Sequence, residues 1–135
     1  MIADVIAGVG RDARRNARVL DGTRNRGETR RGARIEADAP ARLETPAPAA
    51  RIAAAIRAAG LPARVSRTAG AYLCNHLYFG ALRLALAGGA PSRIVFLHLP
   101  ATPAQMAARA GVPSLPTPDA AHALAIAARL MIEEA

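Results

Sequence analysis

The sequence predicts an α/β fold: a three-layer sandwich with a small, mainly parallel sheet flanked by helices, the N-terminal part of that fold missing. Three observations carry this expectation. Short apolar runs, the clearest being Arg93–Leu99 (RIVFLHL), alternate with longer segments of helical periodicity. Glycine or proline punctuates most of the junctions between them. Only about three strands are legible, few for this architecture, so part of the sheet is expected to be absent.

The elements follow in order within a single domain, residues 1–135. Ile2 to Val9 is a short apolar run suited to a buried strand. Residues 10–47 are rich in Arg, Gly, Asp and Glu and lose periodic hydrophobicity, and so read as an irregular loop. Pro48 suits a first helical turn, and Ile52 and Ile56 with the alanines around them carry that helix to Ala59. Gly60 and Pro62 stop it. Ala63 to Ser66 is a short strand. Leu73, Leu77, Leu82, Leu84 and Leu86 mark a second helix, from near Gly70 to Gly88-Gly89. The strand Arg93–Leu99 comes next. Pro100 to Pro118 is a proline-rich connection with a helical turn expected at Gln105–Arg109. Asp119 to Glu134 is the last helix, with Pro118 and Asp119 at its start and Leu124, Ile126, Leu130 and Ile132 as its apolar stripe.

Composition narrows the function. Apolar residues make up 52% of the 135, but much of this is alanine and aromatics are only 3%. Such a core is thin, and a homo-oligomer is one way to supplement it. The net charge is +8, and nine of the 18 basic residues fall between Arg11 and Arg34. With no aromatic interleaved to stack on bases, that block fits a solvated segment better than a nucleic-acid contact. The single cysteine excludes an internal disulfide, and no run is long enough to span a membrane. The apolar start, Met1 to Gly10, lacks the basic flank and cleavage site of a secretory signal. A cytoplasmic protein without a membrane partner is expected. No His/Cys cluster suggests a metal, and no cofactor is implied.

The lone thiol, Cys74, falls in the first turn of the second predicted helix. Free N–H groups and the helix dipole there favour a thiolate and can hold an oxyanion. A nucleophilic thiol needs a base. His76 lies two residues on, about 200° around the helix, and His122 sits within the last helix. His98 ends the strand RIVFLHL. In parallel sheets, sites gather at the C-terminal ends of strands beside the helix N-termini, so His98 and Cys74 are expected to converge at one edge of the fold. The pattern by itself fits a small buried cysteine and a strand-end histidine better than a catalytic pair.

Two segments add to this reading. VSRTAGAYLCNHLYFGAL (Val65–Leu82) holds Ser66, Ala69-Gly70 and Cys74-Asn75. VFLHLPATPAQ (Val95–Gln105) holds Phe96, Leu97, His98, Leu99 and Pro100, with Pro103 and Gln105 following. Together they resemble the pyroglutamyl peptidase I family of cysteine peptidases over Pro48–Met131. The resemblance implies removal of N-terminal pyroglutamyl residues from peptides, with Cys74 as nucleophile and His98 as general acid/base. Tyr72 and Leu73 would help wall the lactam pocket, the Cys74 N–H would serve the oxyanion, and no metal would be needed. Upstream the sequence departs from the pattern. Gly10-Arg11 and Ala17-Arg18-Val19 are the best placements for the family's Gly-Arg and Glu-Arg-Val. Ala17 then replaces the glutamate that orients the histidine, and the lactam-binding glutamine falls near Ala7. The alternative expectation is therefore a catalytically inactive, truncated remnant, with Arg-mediated nucleic-acid binding as a lesser one.

Overall fold

The computed structural model describes residues 3–10, 40, 42–70, 73–88, 93–109 and 111–133. In chain order these form β1 (Ala3–Ile6), β2 (Gly8–Gly10), β3 (Arg42–Glu44), α1 (Ala49–Ala58), β4 (Ala63–Ser66), α2 (Leu73–Ala87), β5 (Phe96–His98), α3 (Pro103–Met106) and α4 (Thr117–Glu133).

The apolar run at the start makes two strands, not one. Ala7 is where the backbone changes partners: its N–H donates to the Ser66 carbonyl at 2.8 Å and its carbonyl accepts from Thr45 at 3.1 Å. Before it, β1 is the centre of a three-stranded sheet in the order β4-β1-β5. After it, β2 pairs antiparallel with β3, Gly8 opposite Glu44 and Gly10 opposite Arg42. The segment expected to be irregular over 10–47 is thus closed at both ends by strand pairing. Residues 11–39, which hold the arginine block, lie outside the described residues.

The α/β sandwich is present, but its sheet is mixed. β1 is parallel to β4 and antiparallel to β5. The register lines up three rows across the strands: Arg64–Asp4–His98, Val65–Val5–Leu97 and Ser66–Ile6–Phe96. Alternate rows face opposite sides of the sheet. The pairing spans only Phe96–His98 of the expected Arg93–Leu99 because β1 stops at Ile6, which is opposite Phe96. The Ile94 carbonyl, beyond that end, accepts side-chain hydrogen bonds from Thr45 and Tyr78 instead.

On one side, Ala3, Val5 and Ala63 pack against Ile52, Ala53 and Ile56 of α1 and Ala123, Ala127 and Leu130 of α4. Ile52 and Ile56, four apart, are fully buried. Each contributes about 1.5–3 kcal/mol of transfer free energy. Helix α1 ends at Gly60, whose φ of 81° suits a residue without Cβ. Its N–H donates to Arg57 and that of Leu61 to Ile56, while Leu61 folds back onto the core.

On the other side Tyr78, Phe79 and Leu82 of α2 close over Ile6, Leu43 and Ala69. Here the expected apolar stripe is displaced. Leu77, Leu84 and Leu86 are exposed, and the buried face carries the aromatics. In helix α4 the expected stripe holds in part: Leu130 is buried and Ile126 packs on the core, but Leu124 and Ile132 are exposed, while Ala123 and Ala127 are buried. Alanine permits close approach of backbones, so in an alanine-rich chain it takes the tightest contacts and some large side chains are left outside. The helical turn expected at Gln105–Arg109 lies earlier, at α3. Thr102 caps it, accepting from the Gln105 N–H at 3.3 Å, and the Gln105 side chain accepts from the Thr102 N–H at 2.8 Å.

Candidate active site

The approach to α2 is built from short polar side chains. Ser66 Oγ accepts from the Thr68 N–H at 3.3 Å, and Thr68 Oγ1 accepts from the Gly70 N–H at 3.0 Å. Gly70 itself turns the chain with φ 80°. These successive side-chain-to-backbone turns are what Ser, Thr and Gly do best. They deliver Cys74 into the first turn of a 15-residue helix with no acidic residue in that turn. Cys74 is half-buried, with buried Asn75 beside it and His76 exposed.

Cys74 and Tyr78 are one turn apart and share the helix face that packs on the sheet. Tyr78 is fully buried and ties this face down. Its hydroxyl donates to the carbonyls of Ile6 (3.1 Å) and Ile94 (3.3 Å). Burial raises the phenol's pKa, offset in part by a hydrogen bond with Thr45, so the hydroxyl stays a donor. From Tyr78 a row of rings runs along β5: Tyr78 to Phe96 at 5.6 Å, then Phe96 to His98 at 5.2 Å, edge-on at 85°.

The structure therefore brings Cys74 and His98 to the same side of the sheet, but not by the route the sequence suggested. Because β5 is antiparallel, its C-terminal end lies beside the first half of β1, with His98 opposite Asp4. The β4 strand that leads to Cys74 ends at the other end of β1, with Ser66 opposite Ile6. A shared face joins the two residues, not a shared strand end. Leu73 is the first residue of α2; Tyr72 and Ala17 lie outside the described residues. The third histidine, His122, lines a groove of about 440 Å³ between α1 and α4, on the opposite side of the sheet. Among the described residues no group of three His, Cys, Asp or Glu is placed to hold a metal ion, and no helix is long and apolar enough to cross a membrane.

Sequence reasoning passed over two neighbours of His98. Asp4 lies directly opposite it, and Arg64 lies opposite Asp4 in the same row. Arg64 donates to both carboxylate oxygens of Asp4, at 2.5 and 3.3 Å. That hydrogen bonding and the negative charge of Asp4 raise the guanidinium's pKa. The signal was present: Asp4 is the one charged residue in the run Met1–Gly10.

The sequence model for pyroglutamyl peptidases matches residues 8–134. The chain belongs to the pyroglutamyl peptidase family. The match begins well upstream of Pro48. The pyrrolidone-carboxylate peptidase of Levilactobacillus brevis is 39% identical over 98 residues, covering 73% of this chain and 48% of that protein. That of Pectobacterium carotovorum is 38% identical over 111 residues, covering 82% and 50%. The chain thus spans about half the length of the curated relatives it matches. Among solved structures, pyrrolidone carboxyl peptidase from Thermococcus litoralis superposes with a TM-score of 0.87 at 28% identity, over 98% of this chain and 60% of that one. Pyroglutamyl peptidase I from Bacillus amyloliquefaciens gives 0.82 at 33% identity, over 95% and 59%. The mixed sheet flanked by helices is the family's fold.

Proposed function

We propose that this chain is a cysteine peptidase that removes N-terminal pyroglutamyl residues from peptides, at a low rate. Cys74 Sγ attacks the carbonyl carbon that follows the lactam ring and gives up its proton to His98. The tetrahedral oxyanion is met by main-chain N–H groups at the start of α2. His98 then passes the proton to the leaving amine, the C–N bond breaks, and a thioester remains on Cys74. Water, deprotonated by His98, hydrolyses it and restores the thiol. Tyr72 and Leu73 contribute to the lactam pocket. The reaction needs no metal or cofactor, and a reducing cytoplasm suits a chain whose one cysteine is the nucleophile. The observation that carries the reading is the placement of the sole thiol in the first turn of α2, on the sheet face that also carries Phe96 and His98.

One observation favours a second reading, a remnant that no longer catalyses. Alanine stands at position 17, the best placement in this sequence for the acid that orients the histidine in the family's pattern. Release of an amine fluorophore from a pyroglutamyl amide separates the two. Turnover by the chain, lost in Cys74→Ser and reduced at least about 100-fold in His98→Gln, supports the peptidase. No turnover from folded protein supports the remnant.

A further inference from the structure

A Cys–His pair works when the imidazole is held in one tautomer, with its N–H turned away from the thiol and a bare nitrogen turned toward it. A carboxylate usually does the holding. The geometry points to Asp4 as the positioning residue of His98: the two are cross-strand neighbours that are not hydrogen-bonded in the structure, and a side-chain rotation lets the carboxylate accept the ring N–H and fix the tautomer. This rests on the reading of His98 as the acid/base.

Four observations converge on Asp4. It is the direct cross-strand neighbour of His98 in the antiparallel β1–β5 pair. Such neighbours have Cβ atoms about 4.5–5.5 Å apart, within reach of a side-chain hydrogen bond. It points to the same side of the sheet as His98, the side on which α2 carries Cys74. Its side chain is only 21% exposed, and it is set between Ala3 and Val5, which are fully buried. An acid there is costly to desolvate and calls for partners. Arg64 supplies two of the hydrogen bonds. A carboxylate has about four lone-pair sites, so capacity remains for an imidazole N–H. Finally, the His98 ring has its edge contact with Phe96 and no hydrogen bond among the described residues, so its N–H is available. Arg64, mostly exposed, anchors the carboxylate from the far side. The device differs from a loop-borne acid: both members sit on paired strands, where register fixes their separation.

The test reads the tautomer directly and needs no turnover. In uniformly ¹⁵N-labelled protein, at a pH well above the ordinary imidazole range, the two ring nitrogens of His98 are compared with those of exposed His76, with His98→Gln supplying the assignment. The expected result is one protonated and one bare nitrogen in His98, widely separated in shift, against averaged shifts in His76. Asp4→Asn collapses the His98 pair toward the His76 values, and Asp4→Glu restores part of the separation. In the peptidase assay Asp4→Asn lowers kcat by about 10- to 100-fold with KM changed less than about twofold. A fixed tautomer lost in Asp4→Asn supports the assignment even in a protein without turnover. Averaged His98 shifts in the unmodified protein overturn it, whether or not Asp4→Asn folds. Unchanged His98 shifts in folded Asp4→Asn overturn it too, and leave the peptidase reading standing if turnover persists.

Discussion

The two sides of the small sheet are held by different means. Toward α1 and α4 the contact is mostly shape: Ile52, Ile56, Leu130 and a set of alanines fill the space, with Arg57 donating to the Ala63 carbonyl at 3.0 Å. Toward α2 fewer residues are buried, but two of them are aromatic, and Tyr78 hydrogen-bonds the ends of the sheet. Shape tolerates repacking; a hydrogen bond to a strand carbonyl fixes position. The side that carries Cys74 and His98 is the side with fixed positions, which is what the proposed acyl transfer would require.

Substitutions on each side sharpen this contrast. The largest effect on stability is expected from Ile52→Ala, which opens a void in a fully packed site and costs about 2–5 kcal/mol in denaturant unfolding. Alkylation of Cys74 in the folded fraction should stay at the unmodified rate; faster alkylation would mean that the two sides are mechanically coupled. Tyr78→Phe costs less, about 1–2 kcal/mol for the lost donor, but should speed alkylation of Cys74 by loosening the first turns of α2. It also carries a pH signature. The phenol's pKa is raised in the fold above its ordinary value of about 10. Its stabilising contribution is therefore complete below about pH 10 and is lost as the pH rises through the raised value, because the unfolded chain ionises first. The alkaline fall in stability should be shallower in Tyr78→Phe. The smallest effect is expected from Leu84→Ser on the exposed face of α2, within about 0.5 kcal/mol; a loss well beyond that would show that the outer leucines are covered in solution.

Much of this architecture was legible in the sequence. Gly60 and Pro62, the alternating apolar runs, and Pro118-Asp119 marked where elements begin and end, because backbone chemistry acts locally. What escaped depends on distant neighbours. RIVFLHL does not encode whether it runs with or against β1; that is decided by where α2 leaves the chain. The leucines of α2 looked like its inner face because size was read as burial, whereas the aromatics Tyr78 and Phe79 and small Ala69 fit the space over Ile6. Cys74 and His98 stood out by residue type and setting. Asp4 did not, since only the β1–β5 register reveals what lies across from it, and Tyr72 and Ala17 fall outside the described residues.

The Tyr78 hydroxyl also sets an order of events. It reaches back 72 positions to Ile6 and ahead 16 to Ile94. The helix bearing the thiol cannot seat until both are in place, so docking waits for contacts of long sequence separation, which form late. During synthesis Cys74 leaves the ribosome before Ile94 does. For that interval the thiol is on a chain whose shelter does not yet exist, and a pause in translation between the two would lengthen its exposure to oxidants.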